Sequence, residues 1–158
     1  FFNLLHLKQG EAIFQNAGLP HAYLEGYNVE IMASSDNVLR GGLTTKYIDT
    51  AELLKHTKCN ATIPKIIKAA KNKSFKVYKT PVNDFELTSY HLKKDEEIKI
   101  EPKTAEILLL TNGELVLEDK KTKVILKTGS IAAAAFNGAV IKIKELEDSL
   151  LFRAETPF

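Results

Sequence analysis

The chain has 158 residues, a formal net charge of +2, one cysteine and no tryptophan, a length that suits one domain or one domain with part of a neighbour. With 44% hydrophobic and 27% charged residues it can bury a core, which excludes wholesale disorder. No apolar run approaches the ~20 residues of a membrane span, and 22 basic residues against 20 acidic ones leave no nucleic-acid footprint.

The chain opens Phe1-Phe2-Asn3-Leu4-Leu5, without an initiator methionine, and reads as though it starts inside a strand. Phe2, Leu4 and His6 alternate with Asn3, Leu5 and Leu7. Gln9-Gly10 predicts a turn, Glu11 to Phe14 a short strand, and Asn16 to Pro20 a loop. His21 to Leu24 and Tyr27 to Ala33 then flank a turn at Glu25-Gly26. β-branched and aromatic residues between Gly, Pro and Asn breakers are the evidence for these strands.

Residues 49–74 change character. Asp49 or Thr50 is placed to cap a short helix through His56, because either side-chain oxygen can accept an orphan N–H. Thr62-Ile63-Pro64 predicts the start of a second helix, with proline in the first turn. On it Lys65, Lys68 and Lys71 would form a cationic stripe, either a solvated face or a contact for an anionic surface.

From Phe75 onward strand signals return. The candidates are 75–80, 85–92, 97–101, 105–111, 114–118, 122–127, 130–135, 138–144 and 149–154. Thr111-Asn112-Gly113 predicts a hairpin turn, since Asn and Gly tolerate positive φ. Many short strands with frequent turns imply a sandwich or barrel. A weak internal repeat is also present. Leu7-Lys8-Gln9-Gly10 recurs as Leu126-Lys127-Thr128-Gly129, a register that sets His21 opposite Val140.

The polar and conformationally special residues crowd into 20–46. His21 follows Pro20, and imidazole is the commonest metal ligand. Zinc needs three or four ligands, though, and no second His or Cys stands at a convincing spacing. His6, His56 and His91 are scattered and read as structural. Only two of the 22 basic residues are arginines, Arg40 and Arg153. Arg40 precedes Gly41-Gly42, where backbone can approach a ligand closely. Its guanidinium is either a functional fork or the partner of Asp36, four residues earlier. Lys46 suits a phosphate as a point charge, or is one more surface lysine. Glu30 and Asp36 are acid–base groups, ligand anchors or ordinary strand and turn residues.

Through GEAIFQNAGLPHAYLEG, VEIMASSDNVLRGGLTTKYID and AELLKH the sequence resembles the type I mannose-6-phosphate isomerases, zinc-dependent phosphomannose isomerases. The segments PHAYL, SDN-x-x-R and GLT-x-K-Y carry the likeness, in this order and at close spacing. Strong local matching covers residues 7–55, and the remainder is similar to the family's C-terminal cupin-type β-unit, ending in LLFRA. The resemblance implies that His21 is a zinc ligand and that Arg40 is catalytic. It implies that Lys46 lines the sugar-phosphate site, with Tyr23, Glu30 and Asp36 near it. Thr45 stands where the family usually has proline, and Gly41 where it often has alanine. Both loosen the loop without removing a functional side chain.

The family's other zinc ligands come from a Q-x-H pair and a glutamate upstream, which this chain does not contain. The expectation is therefore a C-terminal portion of such an enzyme, mainly β. Residues 1–48 would be an incomplete part of the catalytic cupin (jelly-roll) barrel, 49–74 a helical linker, and 75–158 a degenerate cupin-like β domain. The incomplete barrel would self-associate or pair with a missing N-terminal piece, since open strand edges leave unpaired backbone groups. The implied reaction interconverts mannose 6-phosphate and fructose 6-phosphate through an enediol, with zinc as cofactor, sugar phosphates as partners, and neither nucleic acid nor membrane. The portion alone would be inactive. Cys59 cannot form an intrachain disulfide, which favours a reducing, cytoplasmic setting. The alternative is a non-catalytic cupin module for sugar binding or assembly.

Overall fold

The computed structural model describes residues 3–35, 37–42, 44–68, 74–130, 133–135 and 138–157. Its contacts divide the chain into two units, Phe1–Ala69 and Ala70–Phe158.

The second unit is a two-sheet antiparallel β structure. One sheet has the order β3 (Phe75–Tyr78), β4 (Glu86–Leu92), β11 (Ser149–Glu155), β6 (Glu106–Asn112), β9 (Ala133–Ala135). The other has the order β5 (Glu97–Ile100), β10 (Ile141–Glu145), β7 (Glu114–Glu118), β8 (Lys123–Lys127). Strand side chains alternate between faces. Tyr90, Leu92, Leu108, Leu110 and Leu151 from the first sheet thus meet Ile100, Leu115, Leu117, Leu126 and Ile143 from the second in one core. Each of the nine strands expected after residue 74 is present, and the mainly β architecture is as the sequence implied.

The hairpin expected at Thr111-Asn112-Gly113 is not there. β6 and β7 do not pair; β6 lies between β11 and β9, and β7 between β10 and β8. Gly113, at φ +93, turns the chain from one sheet into the other. A Cβ at Gly113 would meet the Ser149 hydroxyl and lie 2.6 Å from the Asp148 carbonyl oxygen. The glycine is needed for this close approach of β11, not for a two-residue hairpin. Sheet-switching corners of this kind bend a nearly continuous strand.

A buried carboxylate in this unit is paired with a part-buried guanidinium. Arg153 on β11 donates from Nε and Nη2 to the two carboxylate oxygens of Glu106 on β6, at 2.6 and 2.5 Å. It also pairs with Glu155 at 2.7 Å and reaches the Tyr90 hydroxyl at 3.4 Å. Glu106 is almost wholly buried, so its charge is tolerable only because the guanidinium fork satisfies both oxygens.

The first unit is built differently. Its elements are β1 (Ala12–Ile13), α1 (Thr50–His56) and β2 (Ile66–Ile67), with β1 and β2 antiparallel. The helix starts as expected, with the Asp49 carboxylate accepting the Glu52 N–H at 3.0 Å. Within the helix Glu52 pairs with His56 at 3.0 Å. The second helix expected from Thr62 is replaced by β2. Pro64 disfavours a helical conformation at Ile63, and the β-branched Ile66-Ile67 pair instead with Ile13 and Ala12. Lys65 and Lys68 therefore share no helical stripe, and Lys71 lies outside the described residues. The strands expected at 3–7, 21–24 and 27–33 are also absent, and only the Glu11 to Phe14 expectation survives, as Ala12–Ile13. No described residue before Ala69 is buried. A strand needs a lateral partner for its N–H and C=O groups, and these segments find none within the described residues.

Candidate functional site

The expected site residues all fall in the first unit, and those described, His21, Tyr23, Glu30, Arg40 and Lys46, lie on irregular backbone. His21 follows Pro20, whose fixed φ limits how the chain enters this stretch. The His21 Nδ1 lies 3.1 Å from the Leu19 carbonyl oxygen. A carbonyl only accepts, so Nδ1 carries the proton in this contact. Nε2 is then the ring nitrogen left to meet another group.

Nε2 faces Glu30, at 3.6 Å from Oε1. Tyr23 stands edge-on to the imidazole, with ring centroids 5.8 Å apart. Its phenol is pushed up to about 12, by burial first and then by its hydrogen bond to Glu30 and that group's negative charge; a hydrogen bond from Asn28 acts the other way. The structure therefore gathers His21, Tyr23 and Glu30 into one cluster. Gly26, at φ +95, makes the turn that brings Glu30 back toward His21. The expected turn at Glu25-Gly26 is thus present although the two strands flanking it are not. Asn28 is a polar member of this cluster that the sequence reading did not single out; nothing but its place between Tyr23 and Glu30 in the chain could have indicated it.

Arg40 and Lys46 do not join the cluster. Both are exposed, and neither forms an ion pair with another described residue. The Lys46 N–H donates to the Thr44 hydroxyl at 3.2 Å, a side-chain turn that shapes the backbone around the lysine. Asp36, named as a partner for Arg40 and as a site residue, lies outside the described residues. The two arginines thus part company. Arg153 is consumed by Glu106 and Glu155, whereas Arg40 keeps its donors free of any described carboxylate.

A cleft of about 340 Å³ opens beside the cluster, lined by Asn16, Ala17, Leu19, Lys58, Asn60 and Thr62. Gly18 lies between two of the lining residues, Ala17 and Leu19. Its carbonyl accepts the Lys58 N–H at 2.8 Å, and a Cβ there would come within 2.9 Å of the His56 carbonyl oxygen. Leu19 links this cleft to His21.

No group of three or more His, Cys, Asp or Glu able to hold a metal occurs among the described residues. His21 and Glu30 are two donors, short of the three protein ligands a catalytic zinc takes. The residues present thus do not make a complete zinc site by themselves. Among the described residues no helix is long and apolar enough to cross a membrane.

No family model matches the chain. It is 38% identical over 147 residues to the mannose-6-phosphate isomerase of Escherichia coli (strain K12), covering 90% of this chain and 37% of that protein. Against the human enzyme it is 35% identical over 164 residues, covering 98% of this chain and 39% of the relative. A crystal structure of mannose 6-phosphate isomerase from Salmonella typhimurium, bound to fructose 6-phosphate and zinc, superposes with a TM-score of 0.60 at 29% identity. That superposition covers 80% of this chain and 32% of the Salmonella chain. A zinc-bound mannose 6-phosphate isomerase structure superposes with a TM-score of 0.57. The chain spans less than two fifths of the length of these first curated relatives in the bacterial cases. Across nearly its whole length, the chain is therefore similar to a C-terminal portion of the mannose-6-phosphate isomerases.

Proposed function

We propose that this chain is the C-terminal portion of a cytoplasmic mannose-6-phosphate isomerase and supplies part of its active site. The observation that carries the reading is the His21 geometry. Its Nδ1 is tied to the Leu19 carbonyl and its Nε2 is turned toward Glu30, within a stretch that matches isomerase relatives. His21 would contribute one ligand to zinc, which in such an enzyme polarises the sugar oxygens. The described residues do not complete that site.

The chain's own groups suit the rest of the reaction. Interconversion of mannose 6-phosphate and fructose 6-phosphate moves a proton between C1 and C2 and builds negative charge on the sugar oxygens of the enediol. Arg40, permanently charged and unpaired among the described residues, stabilises that charge without needing a proton. Lys46 holds the phosphate as a point charge. Tyr23 and Asp36 hold sugar hydroxyls. Glu30, beside Tyr23 and His21, would accept a hydrogen bond from substrate. The sugar phosphate and zinc are accordingly its ligands.

The second unit, whose part-buried Arg153 is engaged by carboxylates, acts as scaffold. The apolar side chains left exposed in the first unit, among them Leu4 at 68% and Leu24 at 80%, fit a surface covered by further polypeptide, either another copy or the rest of the enzyme. By itself the chain would then be inactive.

The experiment uses the full-length protein that carries this segment. Zinc content and conversion of mannose 6-phosphate are measured for the natural sequence, His21→Ala and Arg40→Ala. The proposal expects zinc to be lost in the first variant, and turnover to fall by roughly 10²–10³ in the second with zinc retained. Unchanged turnover in Arg40→Ala would overturn the assignment. For the chain alone, a monomeric elution profile at micromolar concentration with full amide protection across residues 3–48 would refute the covered-surface reading.

A further inference from the structure

The last residue of β10, Glu145, carries a carboxylate that nothing in the chemistry above uses. Its relative exposure is 0%, and among the described residues neither Oε1 nor Oε2 has a side-chain hydrogen-bond partner. By alternation it points with Ile143 into the core, while Lys144 and Lys142 point to the other face of the sheet. Its β7 neighbour is Leu115.

Its backbone lies in a clasp that joins three turns. The Glu145 N–H donates to the Glu96 carbonyl and its carbonyl accepts the Asp95 N–H, both at 3.1 Å. The next N–H, of Leu146, donates to the Glu114 carbonyl at 2.9 Å. Lys93 and the Lys94 N–H both hold Asp148, at 2.7 and 2.9 Å.

Among the described residues, no cation around this clasp pairs with Glu145. On the 93–96 turn, Lys93 is taken by Asp148, and Glu96 adds like charge. On β7 and β8, Glu114 and Lys127 pair with each other at 3.4 Å. On the 146–148 turn the remaining ionisable groups, Glu147 and Asp148, are acidic. The Ser149 hydroxyl donates to the Glu147 carbonyl at 2.8 Å rather than to the carboxylate.

We propose that Glu145 is a proton-loaded latch: the closed β unit holds it as the neutral acid, and its ionisation loosens the clasp formed by residues 93–96, 113–114 and 146–148. An ionised carboxylate in this apolar, unpaired setting is disfavoured by desolvation, whereas a carboxylic acid is not charged and is far less costly to bury. Burial, the largest cause, lifts its titration from 4.5 to about 7; its own backbone N–H acts the other way, and the charge of Glu96 adds a smaller rise. The sign follows. The folded state binds the proton more tightly than the unfolded state. Stability is therefore full below pH 4.5 and declines as pH rises toward 7, where the loss levels off.

The test is equilibrium urea unfolding of the whole chain between pH 4.5 and 8, natural sequence against Glu145→Gln. The folding constant of the natural protein is expected to fall by roughly 150-fold more than that of the variant across this range. Amide exchange at Asp95, Glu145 and Leu146, corrected for intrinsic base catalysis, should accelerate over the same interval. Parallel pH profiles for the two proteins overturn the proposal. Should Glu145→Gln not fold, carboxyl ¹³C NMR of the natural chain decides. A Glu145 titration midpoint near neutrality supports the latch, and one near 4.5 refutes it.

Discussion

Residues 8–11 and 127–130 form the same turn, yet the segments around them fold to different depths. In the first, the Lys8 carbonyl accepts the Glu11 N–H at 2.9 Å, and the Lys8 N–H donates to the Glu11 carboxylate at 2.9 Å. In the second, Lys127 and Ser130 exchange the same two bonds at 2.8 Å each. Gly10 and Gly129 sit at φ 79 and 75. The weak repeat seen in the sequence is thus real at the level of the turn. Beyond it the two units diverge. After Gly129 the chain continues in a unit whose two sheets enclose a core. After Gly10 it enters a unit where no described residue is buried. A turn is a local object, closed by its own four residues. A barrel is not, because each strand depends on partners distant in sequence.

Several changes would break or sharpen this contrast. The largest effect is expected from Arg153→Ala, which strands the buried Glu106 charge and should cost about 3–5 kcal/mol of the second unit's stability. Urea unfolding followed by far-ultraviolet circular dichroism measures it. The first unit should contribute nothing to that transition. Gly113→Ala comes next, at roughly 2 kcal/mol, because the left-handed φ and the approach of Ser149 both oppose a Cβ. An unchanged unfolding midpoint would mean that the sheet-switching corner has slack. The matched turns supply the cleanest comparison. Gly129→Ala, with open space around its Cβ, should cost about 1 kcal/mol from φ alone. Gly10→Ala should leave the same midpoint unmoved. Equal shifts would show that the first unit is coupled to global unfolding. The smallest effect belongs to Asp49→Ala. Loss of this cap should weaken α1 by about 1 kcal/mol. The readout is faster amide exchange at Glu52, without any change in the midpoint.

Legibility followed the range of the interactions. The nine strands after residue 74 could be read because hydrophobic alternation and turn residues mark them one by one. Their order could not. Asn112-Gly113 between two strands signals a hairpin locally, and only the packing of β11 against Gly113 reveals the corner. The α1 helix was readable to its cap, since Asp49 and the Glu52 N–H lie three residues apart. The second helix misled because a plausible proline start concealed two β-branched isoleucines with a strand partner some fifty positions earlier. The site was partly legible. PHAYL, SDNVLR and GLTTKY marked their residues through resemblance, while composition and spacing left His21 and Arg40 with several readings each. The folded chain joins His21 to Glu30 and Tyr23 but leaves Arg40 and Lys46 apart from them.

By itself, the sequence determined the strand positions of the second unit, the capped helix, the repeated turn and the chemical types offered near His21. Each depends on residues a few positions apart, whose spacing is already a physical constraint. Tertiary structure alone decided which strands pair and, among the described residues, that Arg153 is the neutralised arginine while Arg40 meets no carboxylate, and that Glu145 is shut away without a side-chain partner. These outcomes turn on burial and on contacts between distant segments, and composition and spacing do not encode them.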